Sequence, residues 1–410
     1  MTFAIALLVA GVVTLFVRPR GVPLWVGPLV VAAIGVATTT IAWHDARGAL
    51  DALRNPLLFL LFAVPLAVLL DRIGVFAALA ATVSGGRHLH LWLWVLAAGV
   101  VIVFNLDAAV VLLTPLYIHI AAANGVDAEL LAFQPALLAC LASNPLPVSN
   151  LTNLIVAEQL HLGVGEFGRH LALPTLLACT VGWFGYRRLL ASAPRAPDAP
   201  VAQPRDGDIR DGDVGRGRSH GVGGDVEARA LRRGLPIVGF VLVGFTAGNA
   251  LGVAAWMVAA IAVAWAVALA RTVPWRTVPY EAMLVAVGLA VLVAGAVDDL
   301  RVRSLLDAGG VVGRMRAFGF AAVASNATNN LPTVLAGAAS LHERAQVWPL
   351  LAGANIGPVL VISGALSGLL WRDTAKRFGV AVSPRRYTAV GIRVGLPALL
   401  AAGAVVVLLG

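Results

Sequence analysis

The chain reads ASNPLPVSNLTN at Ala142–Asn153 and GANIGPVLVISGALS at Gly353–Ser367, two clusters of Asn, Pro and small polar residues inside apolar, membrane-length sequence. The two clusters echo each other, with Asn144, Pro147 and Val148 lining up with Asn355, Pro358 and Val359. A helix broken in lipid exposes backbone groups that cost several kcal/mol each, so such breaks persist only where they line a buried site or a water-filled cavity. Paired interruptions in corresponding halves of a hydrophobic chain point to the binding site of a secondary transporter.

Composition agrees with a membrane setting. Apolar residues make up 59% of the 410-residue chain and charged residues only 12%, against about 25% charged in a soluble domain. Mean hydropathy is +0.87. The net charge of +9 comes largely from arginines in loops and in one linker, a topology signal rather than a nucleic-acid footprint. Cys140 and Cys179 both fall in apolar segments and form neither a metal spacing nor a disulfide framework. The first segment has no basic residue ahead of its apolar run and no small-residue cleavage site, so it reads as a retained span.

Runs of roughly 20 apolar residues cross a bilayer, and on that basis the chain divides into two halves of one plan. Residues 1–190 hold spans at 3–17, 22–42 and 56–83, a long apolar region at 90–123, a broken span at 131–160 and a span at 171–190. Residues 234–410 hold spans at 235–250, 253–270 and 280–297, an interrupted region at 313–341, a broken span at 346–371 and a last span at 388–409. Between them, 191–233 is rich in Pro, Gly, Asp and Arg and reads as a flexible linker. Arg187, Arg188, Arg232 and Arg233 at its borders assign it to the cytoplasm under the positive-inside rule. With five crossings per half the second half lies upside down relative to the first, giving an all-α fold of two inverted repeats.

Five crossings require that 90–123 and 313–341 act as re-entrant hairpins, with tips FNLDA at Phe104–Ala108 and ASNATNNLPTV at Ala324–Val334. Two hairpin tips and two broken spans are then expected to converge at membrane depth. The candidate solute-binding residues are Asn105, Asn144, Ser149, Asn150, Asn153, Asn326, Thr328, Asn329, Asn330 and Asn355. Their amides and hydroxyls donate and accept hydrogen bonds, and broken helices add free N–H and carbonyl groups, a surface suited to a small hydroxyl-rich or oxyanionic solute. The plainer reading makes each of them interhelical glue. An ionisable side chain in a span is a functional candidate by default, which assigns proton or cation coupling to Asp107. Asp71 and Arg72 are expected to pair with each other or with Arg393. The sequence calls for no cofactor or metal, and it lacks a phosphate loop, a His-Glu-x-x-His and a Gly-x-Ser-x-Gly elbow, so it does not read as an enzyme.

The blocks DRIGVF (Asp71–Phe76), LDAAVVLLTPL (Leu106–Leu116), PLPVSNLTNL (Pro145–Leu154), NNLPTVL (Asn329–Leu335) and GANIGP (Gly353–Pro358) resemble the bacterial arsenite/antimonite efflux permeases of the ion-transporter superfamily. The resemblance implies inverted repeats, each with a scaffold part and a transport part, that move by an elevator mechanism. It also implies outward transport of trivalent metalloid hydroxides across the bacterial inner membrane, coupled to protons or assisted by an ATPase subunit. The chain departs from the family pattern in reading Asn105-Leu106-Asp107 for Thr-Asn-Asp, Gly353-Ala354-Asn355 for Gly-Thr-Asn, and Val359 for a basic residue. A carboxylate, sulfate or sodium transporter of the same superfamily is the alternative, and a channel a third reading. An ATPase subunit and a second copy of the chain stay open as partners beside lipid and solute.

Overall fold

The computed structural model describes residues 3–17, 22–82, 88–192, 222–248 and 251–409, which hold helices, turns and irregular connections and no strand. The first apolar stretches form α1 (Phe3–Phe16), α2 (Val26–Ala37), α3 (Trp43–Ile73) and a short α4 (Val75–Ala81). Then come α5 (Leu89–Phe104) and α6 (Leu106–Asn124), joined at the single residue Asn105, and the pair α7 (Ala128–Leu141) and α8 (Leu151–Leu160), separated by a non-helical stretch with one 3-10 turn. Helix α9 (Val164–Ser192) closes this half.

The second half follows the same order. It runs α10 (Val222–Ala247), α11 (Ala255–Ala270), α12 (Tyr280–Ala296) and a short α13 (Val302–Leu306), then α14 (Gly310–Thr328) and α15 (Asn330–Ala338), joined at Asn329. The pair α16 (Val347–Ile356) and α17 (Leu366–Arg377) is again parted by a 3-10 turn, and α18 (Pro384–Val390) and α19 (Leu396–Leu409) are joined by a π-helical turn at Gly391–Gly395. By length and composition, the helical stretches Trp43–Ile73, Leu106–Asn124, Asp225–Ala247 and Pro384–Leu409 can each cross a bilayer.

Packing pairs the halves reciprocally. Helix α3 lies on α11 and α2 on α12, while α6 packs on α17 and α15 on α8. The self-partnered contacts, α3 with α12 and α9 with α19, sit between these exchanges. Small residues permit the closest approach. In the Gly353-x-x-x-Gly357 run of α16, a Cβ at Gly353 would stand 2.5 Å from the Phe318 carbonyl oxygen and one at Gly357 2.9 Å from that of Ala322, so α16 presses its backbone on α14. Across the halves, the buried Trp371 indole donates to the Ala132 carbonyl at 2.7 Å and its ring packs on Phe133.

Several sequence expectations are corrected. The third span, read as 56–83, begins at Trp43 and ends at Gly74, whose φ of 90° supplies the left-handed cap that separates α3 from α4. The linker expectation covers too much. Residues 193–221 lie outside the described residues, but Val222 to Arg233 are the first turns of α10, held by the packing of Gly234 on Val75 and by burial of Ala230. The pairing of Asn144 with Asn355 also fails. Leu141 and Ile356 end the first arms and Leu151 and Leu366 begin the second, one common spacing that sets Cys140 opposite Asn355 and Asn150 opposite Ala365. Asp71 and Arg72 do not form an ion pair. Arg72 donates instead to the Thr272 hydroxyl at 3.1 Å, because one turn of helix points adjacent side chains apart.

Replacing Gly353 by Leu is expected to lower stability by about 1–3 kcal/mol, since the collision is with backbone. Gly319→Ala on α14, which meets open space, is expected to leave the thermal midpoint within error. A light-scattering or fluorescence melt of the two purified variants distinguishes them.

Candidate functional site

The site grows from two equivalent turns. Asn105 (φ 88°, ψ 149°) and Asn329 (φ 83°, ψ 152°) adopt the same rare backbone, and each side chain caps the helix that follows. Asn105 Oδ1 accepts from the Asp107 N–H at 2.9 Å, and Asn329 Oδ1 from the Leu331 N–H at 3.3 Å. Asparagine is among the few non-glycine residues that tolerate positive φ, and its short amide meets the orphan N–H groups of a helix start. The broken spans supply two further helix starts. Asn150 caps α8 through a 3.2 Å bond from the Thr152 N–H, whereas Ala365, in nearly the same extended conformation, gives α17 no side-chain cap.

These four starts meet around one small cavity. Leu106 and Asp107 reach it from α6, Asn150, Leu151 and Thr152 from α8, Asn330 and Leu331 from α15, and Ala365 and Leu366 from α17. Its volume of about 20 Å³ accommodates roughly one water. Four helix N-termini direct their partial positive ends at it, with three started by asparagine caps and α17 left with uncapped N–H groups. Asp107 is the one ionisable residue among the lining residues, and the structurally equivalent position on the other tip is Leu331. Asp107, which lines the cavity, has its buried Oδ1 without a protein partner, and so do Asn105 Nδ2 and the Ser367 hydroxyl, each on a residue next in sequence to a lining residue. Buried polar groups are nearly always paired, so an unpaired carboxylate oxygen on the cavity wall marks a place where something else can supply the bond.

A second layer holds the breaks in register. The Asn355 amide is fully used: Oδ1 accepts from Asn150 Nδ2 at 2.9 Å and from the Thr152 hydroxyl at 2.8 Å, while Nδ2 donates to Asn144 Oδ1 at 2.9 Å and Asn153 Oδ1 at 2.6 Å. Asn153 Nδ2 in turn donates to the carbonyls of Ser143 and Leu146 at 2.8 and 3.1 Å. One residue of the second half therefore fastens the whole broken span of the first. The Ser149 hydroxyl donates to the Ile102 carbonyl at 2.7 Å, and Asn326 Nδ2 donates to the Gly357 carbonyl at 2.9 Å. In both halves the break is thus tied to the first helix of the adjoining pair. Thr328 bonds the Ala324 carbonyl and the Thr333 hydroxyl within its own turn.

Of the residues singled out from sequence, Asp107, Asn150 and Asn330 line the cavity, and Asn105 and Asn329 cap helices that do. Asn144, Asn153 and Asn355 form the network behind it, while Ser149, Asn326 and Thr328 bind backbone away from it. Thr152 and Ser367 were missed, although both stand inside the quoted clusters. Each is a hydroxyl in the first turn after a break, a signal the sequence carried.

Helices broken and capped around a buried polar cavity, in a chain with several bilayer-length apolar helices, define a membrane transporter. Residues 3–365 match the citrate transporter family, CitMHS, and the chain belongs to that family. It is also similar to two proteins named arsenical pump membrane protein. One, from Yersinia enterocolitica, is 27% identical over 93% of this chain and 92% of its own length, and the other, from Escherichia coli K12, is 26% identical over 97% and 96%.

Two substitutions separate lock from cavity. Asn355→Leu strands buried amides of Asn144, Asn150 and Asn153, each unsatisfied group costing about 1–3 kcal/mol, so the purified variant is expected to melt several degrees lower. Ala365→Asn, by contrast, supplies the missing cap and is expected to stabilise by about 1 kcal/mol while weakening solute binding, read as a raised KM in vesicle transport.

Proposed function

We propose that the chain is a secondary active transporter that exports arsenite and antimonite as neutral trihydroxides in exchange for protons, by elevator movement of α5–α9 and α14–α19 against a scaffold of α1–α4 and α10–α13. The observation that carries this reading is the lining of the cavity. It offers N–H donors from four helix starts, amide oxygens and one carboxylate, and no cationic side chain. A neutral hydroxide has oxygens to accept from the N–H groups and O–H groups to donate to Asp107, so both sets of protein atoms are used. A citrate-like polyanion would set its charge against the Asp107 carboxylate with no arginine or lysine beside it. The names of the relatives point the same way.

Proton exchange follows from the same residue. An ionised Asp107 accepts charge-assisted hydrogen bonds from bound solute at both oxygens; a protonated one offers a neutral, weaker acceptor and holds the solute less tightly. Proton and solute then compete for one carboxylate, which is the requirement for antiport. The cavity holds about one water, so solute binding requires the four helix starts to part. A crevice of about 320 Å³ supports such movement. It runs from Pro147 and Val148 at the first break to Glu158 and His161 at the end of α8, and its far wall is Phe59, Phe245 and Trp256 of the scaffold. The matched caps at Asn105 and Asn329 and the exchanged contacts of α6 with α17 and α15 with α8 favour two inverted repeats. On this reading the chain sits in the bacterial inner membrane with its linker in the cytoplasm.

The family description keeps a carboxylate transporter as the second reading. In reconstituted vesicles with an imposed pH gradient, the wild-type chain is expected to concentrate arsenite, and Asp107→Asn to reduce this at least tenfold at unchanged protein level. Citrate uptake stimulated by sodium, with arsenite unmoved, contradicts the proposal and establishes the second reading.

A further inference from the structure

A second place in the molecule has chemistry that the transport site does not use. Between α9 and the last span lies a groove of about 750 Å³ lined by Arg188 and Arg393 together with Val181, Phe184, Leu189 and Pro397. Arg188 is within the last turns of α9 before the linker, and Arg393 is in the π-helical turn Gly391–Gly395, some nine residues into the last span. Both side chains are exposed, and neither appears in any ion pair among the described residues. Among the described residues, no acidic one lines the groove.

An exposed guanidinium that far into an apolar span is costly unless an anion meets it. The backbone is arranged to bring the two arginines together. Gly185 of α9 comes so close to the last span that a Cβ there would stand 3.0 Å from Val394 Cα and 3.2 Å from the Arg393 carbonyl oxygen. The extra residue of a π-turn rotates Arg393 relative to a regular helix, and such turns concentrate at functional places. Two arginines above an apolar trough, at the linker end of the helices, match an anionic phospholipid. Its phosphate can take the forked N–H groups of both guanidiniums, and its acyl chains can lie along Phe184, Leu189 and Pro397.

We propose that this groove binds an anionic phospholipid, phosphate to Arg188 and Arg393. The bound lipid supplies the counter-charge that lets Arg393 stay in the span. It also sits behind the second break, because the same π-turn cradles Val359: a Cβ at Gly391 would stand 2.2 Å from the Val359 carbonyl oxygen and one at Gly395 2.3 Å from its side chain. Lipid occupancy therefore supports the backbone that carries α16 into α17.

Purified full-length protein titrated with phosphatidylglycerol or phosphatidylcholine, with bound lipid counted by native mass spectrometry and the thermal midpoint followed in parallel, tests the site. Wild type is expected to retain phosphatidylglycerol selectively and to melt higher with it. Arg188→Gln combined with Arg393→Gln is expected to weaken retention about thirtyfold, from roughly one surface charge interaction per arginine. Arg385→Gln, at the same end but outside the groove, is expected to change nothing, and the double Lys variant to keep most of the binding. Equal retention by the Gln pair, equal retention of phosphatidylcholine by wild type, or the same protection by inorganic phosphate overturns the proposal. So does a loss of stability in the Gln pair that is independent of lipid.

Discussion

The amide of Asn355 is the constraint on which the rest of the structure depends. Two helical spans stop in the interior and restart, and each stop leaves backbone that apolar surroundings cannot solvate. Asn355, in the last turn of α16, answers this by taking four hydrogen bonds from and to Asn144, Asn150, Thr152 and Asn153 of the other half. Few interactions in the chain join residues so far apart in sequence at such depth. Because both faces of the Asn355 amide are used, the first break is fixed relative to the second, and the starts of α8 and α17 are brought to the same cavity as those of α6 and α15.

From that lock the chemistry of the cavity follows. Three helix starts carry their own asparagine caps and the fourth does not, so α17 lacks the side-chain acceptor that the other three have. The carboxyl of Asp107 lies among the same lining residues, on a tip whose counterpart carries leucine. The two halves thus repeat a backbone but not a charge.

Much of this was legible in the sequence, for reasons that particular residues make plain. The breaks announce themselves because Asn, Pro and Ser are expensive in lipid and stand out against their apolar flanks. The tips at Asn105 and Asn329 were visible for the same reason. The register between the halves was not, since Asn355 and Asn144 look alike as letters while one ends a helix and the other lies beyond one. Nor could letters distinguish amides that face the cavity from those that hold carbonyls, as Asn326 and Ser149 do. Leu106, Leu151 and Ala365 line the cavity although they are apolar, and so left no mark in composition. The start of α10 was hidden by charges that read as linker and by two glycines, whose weak helix propensity is overridden by packing on α4.

We propose that solute is held where the four helix starts meet. The most direct test is the position of antimony in crystals of the protein grown with antimonite, read from anomalous scattering. One principal peak bordered by Asp107, Asn150, Asn330 and Ala365 is expected. A principal peak elsewhere, on the Cys140 thiol or in the crevice beside Glu158, contradicts it.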